Sequence, residues 1–293
     1  MQRSSKLLAY LALGAGILAL TFSGFFVHWA DAPGTVTSFF RMAFASLIQA
    51  PLCFIRRQKS NKQADRSNRW ILFAVLAGLF TSFDHAFWAT ALATTTIATA
   101  TFLGYIAPLW VALFSVVVWK VRLKTIFWIG LIFSLIGAFV IFGNDFLNNP
   151  RFTSGDSFAF ISSFFYAAYF LAVQKGRIRA DTVQFVWWVT STAAISLFFI
   201  NLFLGIPFGG YTTKTILVFL GAAVLSQTIG YYSVVYALGH LRAAIVAPTM
   251  IGQPILSGLL AVPLLGEALQ VGQIFGGLSV LAGIYVVNRS EDP

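Results

Sequence analysis

The sequence is poor in charge: only 10% of its 293 residues are Asp, Glu, Lys or Arg, whereas 58% are hydrophobic. A water-soluble domain needs about 25% charged residues to cover its surface. The mean hydropathy of +0.83 points the same way. These proportions exclude an ordinary soluble fold and predict that lipid surrounds much of the chain.

Cysteine and the common catalytic motifs are also scarce. The single Cys53 cannot form an intramolecular disulfide and has no metal-ligand spacing around it, so we interpret it as a small packed hydrophobic residue. The sequence contains no glycine-rich phosphate loop, CxxC pair, HExxH motif or serine–histidine–aspartate set. We therefore expect no enzymatic activity, no metal site and no cofactor.

What the chain does contain is a series of apolar runs, each of about 20 residues, the length needed to cross a bilayer as a helix. The first run is too long for the core of a signal peptide and has no small-residue cleavage site, so we interpret it as a retained span. The sequence therefore predicts an all-α integral membrane protein with ten transmembrane helices. These predicted spans, numbered 1 to 10, cover residues 7–30, 35–55, 70–91, 96–119, 124–143, 156–174, 182–204, 213–237, 242–263 and 268–288.

The net charge of +10 comes from basic residues in the short segments between the runs. If the N-terminus is cytoplasmic, sixteen of the nineteen Lys and Arg residues lie on the cytoplasmic side, and only Arg151 and Lys214 lie outside. Because cytoplasmic loops of membrane proteins are enriched in Lys and Arg, both termini are predicted to be cytoplasmic, in the inner membrane. Basic residues spread in this way do not form a nucleic-acid-binding face, so we expect no nucleic-acid partner.

Several features recur at an offset of 146 residues, half the length of the chain. The matched pairs are Pro108 with Pro254, Gly130 with Gly276, and Gly137 with Gly283. We predict two halves, residues 1–146 and 147–293, with five spans each. Because five is odd, the second half enters the membrane from the opposite side, and such inverted repeats place a shared site near the middle of the bilayer.

The ends of both halves share one pattern, seen in residues 91–142 and 237–287. Each has an Ala-Leu pair, a run of small residues, a proline within the span and a glycine-rich last helix. The second keeps a Gly-Glu turn as Leu265-Gly266-Glu267, where the first has Trp119-Lys120-Val121. This pattern, with Arg41 early in span 2, resembles the EamA type of the drug/metabolite transporter superfamily. The resemblance implies a ten-helix carrier of small metabolites, often amino acids or related compounds, frequently moved outward.

Ionisable residues within spans are costly in lipid and usually face a cavity or a partner. Arg41 in span 2 and Asp84 in span 3 lie at a matching depth, which suits an ion pair. The pair either locks adjacent helices or faces the central cavity, where Arg41 would attract a carboxylate or phosphate and Asp84 an amine or a proton. His85 is interpreted either as a carrier of coupling protons or as a packed residue.

Aromatic and amide side chains form a second group of candidates for substrate binding. An aromatic residue in a span can line a cavity or simply pack, whereas a buried amide needs a partner. Pro108 and Pro254 are candidate helix breaks or hinges, or only packing kinks. The candidates for substrate binding are Trp88, Tyr105, Tyr166, Tyr169, Gln227, Tyr231 and Gln253.

Taken together, these features predict a secondary transporter, most simply an exporter of amino acids or related metabolites by alternating access. The alternatives are an importer or exchanger of the same fold and, further away, a channel or a non-transporting scaffold. The expected partners are a small-molecule substrate, the lipid bilayer and, for coupling, protons. The glycine-rich faces of spans 5 and 10 predict either close packing within the chain or a contact in a homodimer, so the protein is expected to be a monomer or a homodimer.

Overall fold

The computed structural model describes residues 2–60, 69–148, 152–178, 180–266 and 270–290. All regular secondary structure in these ranges is helical, and ten stretches are long and apolar enough to cross a membrane. The predicted all-α fold with ten transmembrane helices is therefore confirmed. Glu267 of the Gly-Glu turn lies outside the described residues.

Seven of the ten spans are single helices. They are Gln2–Trp29 (span 1), Gly34–Ser60 (span 2), Arg69–Ala91 (span 3), Thr125–Asn148 (span 5), Ser154–Arg177 (span 6), Thr182–Phe203 (span 7) and Val271–Arg289 (span 10). Several of these helices extend past the apolar runs that predicted them, because a helix can continue into the polar interface beyond the lipid core. In the predicted orientation, Arg177 and Arg289 lie at the inner end of the molecule, and Trp29 and Gly34 lie at the outer end.

Spans 4, 8 and 9 are interrupted. Span 4 consists of Ile97–Gly104 and Ala107–Val117, and span 9 of Ala243–Thr249, a 3₁₀ turn at Met250–Gly252, and Gln253–Leu265. Span 8 contains a π-helical segment, Ala222–Tyr231, between Thr213–Gly221 and Tyr232–Leu238. Such segments frequently occur at functional sites, because they shift the side chains of one turn relative to the next.

The interruptions of spans 4 and 9 occur at equivalent positions of the two halves. Pro108 and Pro254 each occupy the second residue of the helix that follows the break. Proline is tolerated there because the first-turn N–H groups have no partner within the helix, whereas an interior proline removes a hydrogen bond. The break therefore lies just before each of the two matched prolines.

Spans 5 and 10 pack so closely that glycine is required at their contact. A Cβ atom added to Gly137 would lie 2.5 Å from the Gly276 carbonyl oxygen, and one added to Gly283 would lie 2.5 Å from the Gly130 carbonyl oxygen. The two contacts are equivalent in the repeat, because Gly137 corresponds to Gly283 and Gly276 corresponds to Gly130 at the offset of 146 residues. The glycine faces are thus used within the chain, as small residues at membrane helix contacts often are.

The other contacts between spans also occur in pairs that the repeat relates. Span 3 packs along span 6, and its equivalent, span 8, packs along span 1; span 2 packs along span 7. This arrangement is consistent with two inverted repeats. The largest buried cluster lies among spans 1, 3, 4, 6, 7, 8 and 9, and includes Tyr169, Phe170, Tyr231 and Val246.

Candidate functional site

A chain of polar side chains crosses the outer half of the molecule and joins four spans. Arg41 Nη1 donates a hydrogen bond of 2.9 Å to Ser23 Oγ on span 1, and Arg41 Nη2 contacts His85 Nε2 on span 3. His85 Nδ1 lies 3.5 Å from Asp84 Oδ2. Asp84 Oδ1 accepts a hydrogen bond of 2.5 Å from Ser162 Oγ on span 6. We call these five residues the polar chain.

The direct Arg41–Asp84 ion pair suggested by the sequence is not formed, because His85 lies between the two charges. Successive side chains on a helix point about 100° apart. Asp84 therefore faces span 6, while His85 faces span 2 and contacts Arg41. The structure brings all three predicted residues together, but Arg41 contacts His85 and not Asp84.

Arg41 is a buried cation without a carboxylate beside it. Its side chain belongs to a residue only 6% exposed, and its Nε atom has no hydrogen-bond partner. Within the described ranges no carboxylate oxygen lies within 4.0 Å of its guanidinium group. Because arginine stays charged in proteins, this arrangement leaves a positive charge that is solvated only by a hydroxyl and an imidazole.

Four tyrosines from three spans lie close to one another, and two of them, Tyr166 and Tyr231, also lie near the polar chain. Tyr105 comes from span 4, Tyr166 and Tyr169 from span 6, and Tyr231 from span 8. The ring centroids of Tyr169 and Tyr231 are 5.9 Å apart, and those of Tyr166 and Tyr169 are 6.5 Å apart. The Tyr231 hydroxyl lies within electrostatic reach of Tyr105 and Tyr166, and of the charges of Arg41 and Asp84.

The hydroxyl groups of these tyrosines have unused hydrogen-bonding capacity. None of the four has a hydrogen-bond partner among the described residues, and none belongs to the fully enclosed polar atoms that lack a partner. A tyrosine hydroxyl both donates and accepts hydrogen bonds.

The two candidate amides are placed differently. Gln253 Nε2 donates a hydrogen bond of 3.0 Å to the Leu20 carbonyl oxygen, which ties the broken part of span 9 to span 1. Gln227 lies in the π-helical segment of span 8, one turn before Tyr231, and its Oε1 atom is buried without a partner. Gln227 is therefore the amide with unused hydrogen-bonding capacity.

Trp88 and Pro254 face other surroundings. Trp88 packs against an apolar cluster that includes Ala91, Ala100 and Ala159, so the structure does not bring it into the polar chain. Pro254 lines an apolar groove of about 280 Å³ between spans 5, 9 and 10. A second apolar groove, of about 520 Å³, lies between spans 3 and 7, and neither groove includes a residue of the polar chain.

At the positions equivalent to the polar chain, the inner half has glycine and aromatic residues instead. At the offset of 146 residues, Asp84 becomes Gly230 and Ser162 becomes Gly16, and a Cβ atom added to Gly16 would lie 3.0 Å from the Gly230 carbonyl oxygen. The polar bond of one half is thus replaced by a close helix contact in the other. The other equivalents are aromatic: Ser23 becomes Tyr169, Arg41 becomes Trp187 and His85 becomes Tyr231.

Ser23 and Ser162 belong to the site but were not predicted from the sequence. A lone serine within a membrane helix often bonds to its own backbone, and nothing in the local pattern distinguishes these two from Ser82 or Ser163, which do so. Only the contact of span 1 with span 2, and of span 3 with span 6, reveals their role. A helix-packing prediction that placed spans 3 and 6 side by side would have found Ser162.

Comparison with known proteins agrees with this architecture. The model of the EamA-like transporter family matches residues 6–143 and again residues 153–289. An uncharacterized transporter of Clostridium kluyveri is 25% identical over 190 residues, which cover 61% of this chain and 59% of that protein. A solved protein crystal structure superposes with a TM-score of 0.77 at 20% identity, covering 99% of this chain and 98% of the other, which shows a shared fold. The chain belongs to the EamA-like transporter family.

Proposed function

We propose that this protein is a secondary transporter that exports amino acids or closely related metabolites by alternating access. Its family and its ten spans support a membrane transporter. The observation that carries the choice of substrate is the buried, unpaired guanidinium group of Arg41. The polar chain and the four tyrosine hydroxyls form the substrate site of this proposal.

The carboxylate of the substrate binds Arg41. A buried charge without a counter-ion is costly, and an incoming carboxylate removes much of that cost while it gains charge-assisted hydrogen bonds. The Nε atom of Arg41 is enclosed without a hydrogen-bond partner, and Nη1 is held in place by Ser23. The site therefore favours a ligand that carries an anionic group.

The amino group of the substrate binds on the side of Asp84. This carboxylate is positioned by Ser162 and is not neutralised by Arg41, because His85 separates the two. A cationic group and an anionic group held on opposite sides of one imidazole match an α-amino acid, which carries both charges. Tyrosine rings beside the site add cation–π attraction for an ammonium group.

The two broken spans support alternating access. Spans 4 and 9 are interrupted at Tyr105–Ile106 and at Met250–Gly252, and Tyr105 belongs to the proposed site. Discontinuous helices near the centre of inverted repeats are typical of transporters in which one group of helices rocks against another. We assign Pro108 and Pro254 to hinges that let each half-helix move separately.

The class of substrate is tested by competition. Purified protein in liposomes preloaded with a mixture of unlabelled amino acids is assayed for uptake of one labelled amino acid, and unlabelled competitors are added outside. We expect zwitterionic amino acids to compete, whereas the matching amines without a carboxylate do not. Competition by amines or by phosphorylated metabolites alone would overturn the assignment of the substrate class, and linear, unsaturable flux would point to a channel.

Proton coupling is assigned to Asp84, with His85 as its neighbour, because these are titratable groups in contact within the site. An imposed pH gradient is expected to drive accumulation through the unaltered protein. The substitution Asp84→Asn should abolish this accumulation, since the asparagine cannot exchange a proton. If the variant still accumulates substrate in response to the gradient, Asp84 is not the coupling residue.

A further inference from the structure

The inner end of span 6 is tied to its neighbours by the side chains of three residues, Gln174, Lys175 and Arg177. Gln174 Oε1 accepts a hydrogen bond of 2.6 Å from the backbone N–H of Ala243, at the start of span 9. The ammonium group of Lys175 lies 4.5 Å from the centroid of the Trp119 ring, which follows span 4. Each contact joins span 6 to a span that is broken near the proposed site.

Arg177 makes the strongest of these ties. It is only 8% exposed although it lies at the end of a helix. Its Nε atom donates a hydrogen bond of 3.3 Å to the Val235 carbonyl oxygen on span 8, and Nη2 donates one of 2.6 Å to Thr182 Oγ1 on span 7. Nη1 contacts the Ala180 carbonyl oxygen. We call Gln174, Lys175 and Arg177 the inner latch.

The repeat supplies an internal control for the inner latch. The residues equivalent to the inner latch lie at the outer end of span 1: His28, Trp29 and Asp31. His28 and Asp31 are exposed, and neither side chain has a hydrogen bond or ion pair to another described residue. At these equivalent positions the outer end therefore lacks the contacts of the inner latch; the outer start of span 6 is tied instead through Asp156, whose Oδ1 accepts a hydrogen bond of 2.5 Å from Thr95 Oγ1.

The start of span 9 at the inner end is more deeply buried than the equivalent start of span 4 at the outer end. Residues 243–248, which begin span 9 at the inner end, are all buried, and Ala243 is 0% exposed. The equivalent residues 97–102 begin span 4 at the outer end, and there Ile97 is 69% exposed. In the equivalent segment only Thr99 and Ala100 are buried, so the start of span 9 is the more enclosed of the two segments.

We propose that the inner latch, with Arg177 as its principal residue, holds the cytoplasmic side of the molecule shut. This inference rests on the alternating-access function proposed above. Loading from the cytoplasm then requires the bonds of Arg177 to Val235 and Thr182 to break. Gln174 releases the first half of span 9 in the same movement.

Span 6 connects the inner latch to the substrate site. The same helix carries Ser162, Tyr166 and Tyr169 of the site and, fifteen residues after Ser162, Arg177 of the inner latch. At 1.5 Å per residue the two are about 22 Å apart along a continuous helix. A tilt of span 6 that breaks the inner latch therefore also moves the site residues.

The proposal is tested by access of a membrane-impermeant thiol reagent in vesicles of known orientation. Cys53→Ala removes the native thiol, and two reporters are then introduced separately: Ser23→Cys in the outer half and Tyr231→Cys in the inner half. With the inner latch intact, we expect Ser23→Cys to react from the outer side and Tyr231→Cys to resist reagent on the cytoplasmic side. No substrate is needed, so the result does not depend on the assignment of the substrate class.

Adding Arg177→Gln is expected to raise the reaction rate of Tyr231→Cys from the cytoplasmic side by about tenfold, because charge-assisted bonds made only in the closed state are lost. Gln174→Ala should act in the same direction but less strongly. The matched control is Arg289→Gln, which removes an exposed arginine at the inner end whose one contact among the described residues is with the Tyr285 ring. Size-exclusion profiles and outer labelling of Ser23→Cys confirm folding of each variant.

Three results overturn the proposal. The first is rapid cytoplasmic labelling of Tyr231→Cys while Arg177 is intact, which means that the inner end is already open. The second is unchanged labelling in a folded Arg177→Gln variant, and the third is an equal increase in Arg289→Gln. Loss of counterflow without any change in labelling would leave the proposed function in place and remove only the role of the inner latch.

Discussion

Arg41 holds a permanent charge inside the membrane at the expense of stability. Hydrogen bonds to Ser23 and His85 solvate its guanidinium group only in part, and its Nε atom has no partner. Burial of such a charge costs several kcal/mol unless a counter-ion is bound. A binding site for an anionic group is expected to lower the stability of the protein when no ligand is bound.

The substitution Arg41→Gln is therefore expected to abolish counterflow of amino acids while leaving the thermal unfolding midpoint in detergent equal to or above that of the unaltered protein. Arg289→Gln serves as the control, since it removes an exposed arginine and should change neither quantity. Saturating substrate should raise the midpoint of the unaltered protein and not that of Arg41→Gln. Full transport by Arg41→Gln contradicts the role of Arg41 in binding.

At the residue scale the sequence predicts the rare charges but not their neighbours. Arg41, Asp84 and His85 stand out because ionisable residues seldom occur within apolar runs. Their order does not follow from depth alone, because the direction in which each side chain points decides that His85 comes between Arg41 and Asp84. Ser23 and Ser162 cannot be recognised without the packing of spans 1 and 6.

At the scale of helices, glycine decides how closely spans 5 and 10 pack. Gly137→Ala is expected to lower the free energy of unfolding by about 1–3 kcal/mol, because its added methyl group overlaps the Gly276 carbonyl oxygen. A lower midpoint in thermal unfolding measures this. Gly272→Ala is the matched control: its nearest new contact is 3.7 Å away, so better helix propensity should leave stability equal or slightly raised.

Equal midpoints for the two glycine variants would show that spans 5 and 10 are not in backbone contact through Gly137.

The proline-linked breaks of spans 4 and 9 could be anticipated, because proline disrupts a helix interior. The π-helical segment of span 8 could not, since Ala222–Tyr231 contains no proline and no unusual pattern of apolar residues. Its π-helical geometry is known only from the structure, where the segment packs along span 1.

At the scale of the whole molecule, the number of spans is predictable because a lipid core of fixed thickness sets their length. The proposed orientation rests on the sixteen basic residues assigned to one side. A fluorescent protein fused after residue 293 should fluoresce in the cytoplasm, and alkaline phosphatase fused within 205–211 should be active outside. The opposite pattern would invert the topology and exchange the inner and outer ends.

The division of the chain between residues 146 and 147 stays a prediction. The contacts between spans are consistent with it, because the offset of 146 residues relates them in pairs. The asymmetry of recognition was visible in the sequence, since the equivalents of Arg41 and Asp84 are Trp187 and Gly230. What the sequence does not contain is the closure of the inner end by the inner latch. Closure depends on the positions of whole helices, and in the alternating access proposed above the same residues adopt both a closed and an open arrangement.

Counterflow tests the central claim, a carrier with one site that opens to either face, most directly. Proteoliposomes are loaded with an unlabelled amino acid and diluted into a trace of the same labelled compound. We predict a transient accumulation of label above its equilibrium level, with saturable rates, that is lost when Arg41 is replaced by glutamine. Label that equilibrates without this overshoot, at rates proportional to concentration, would contradict the account.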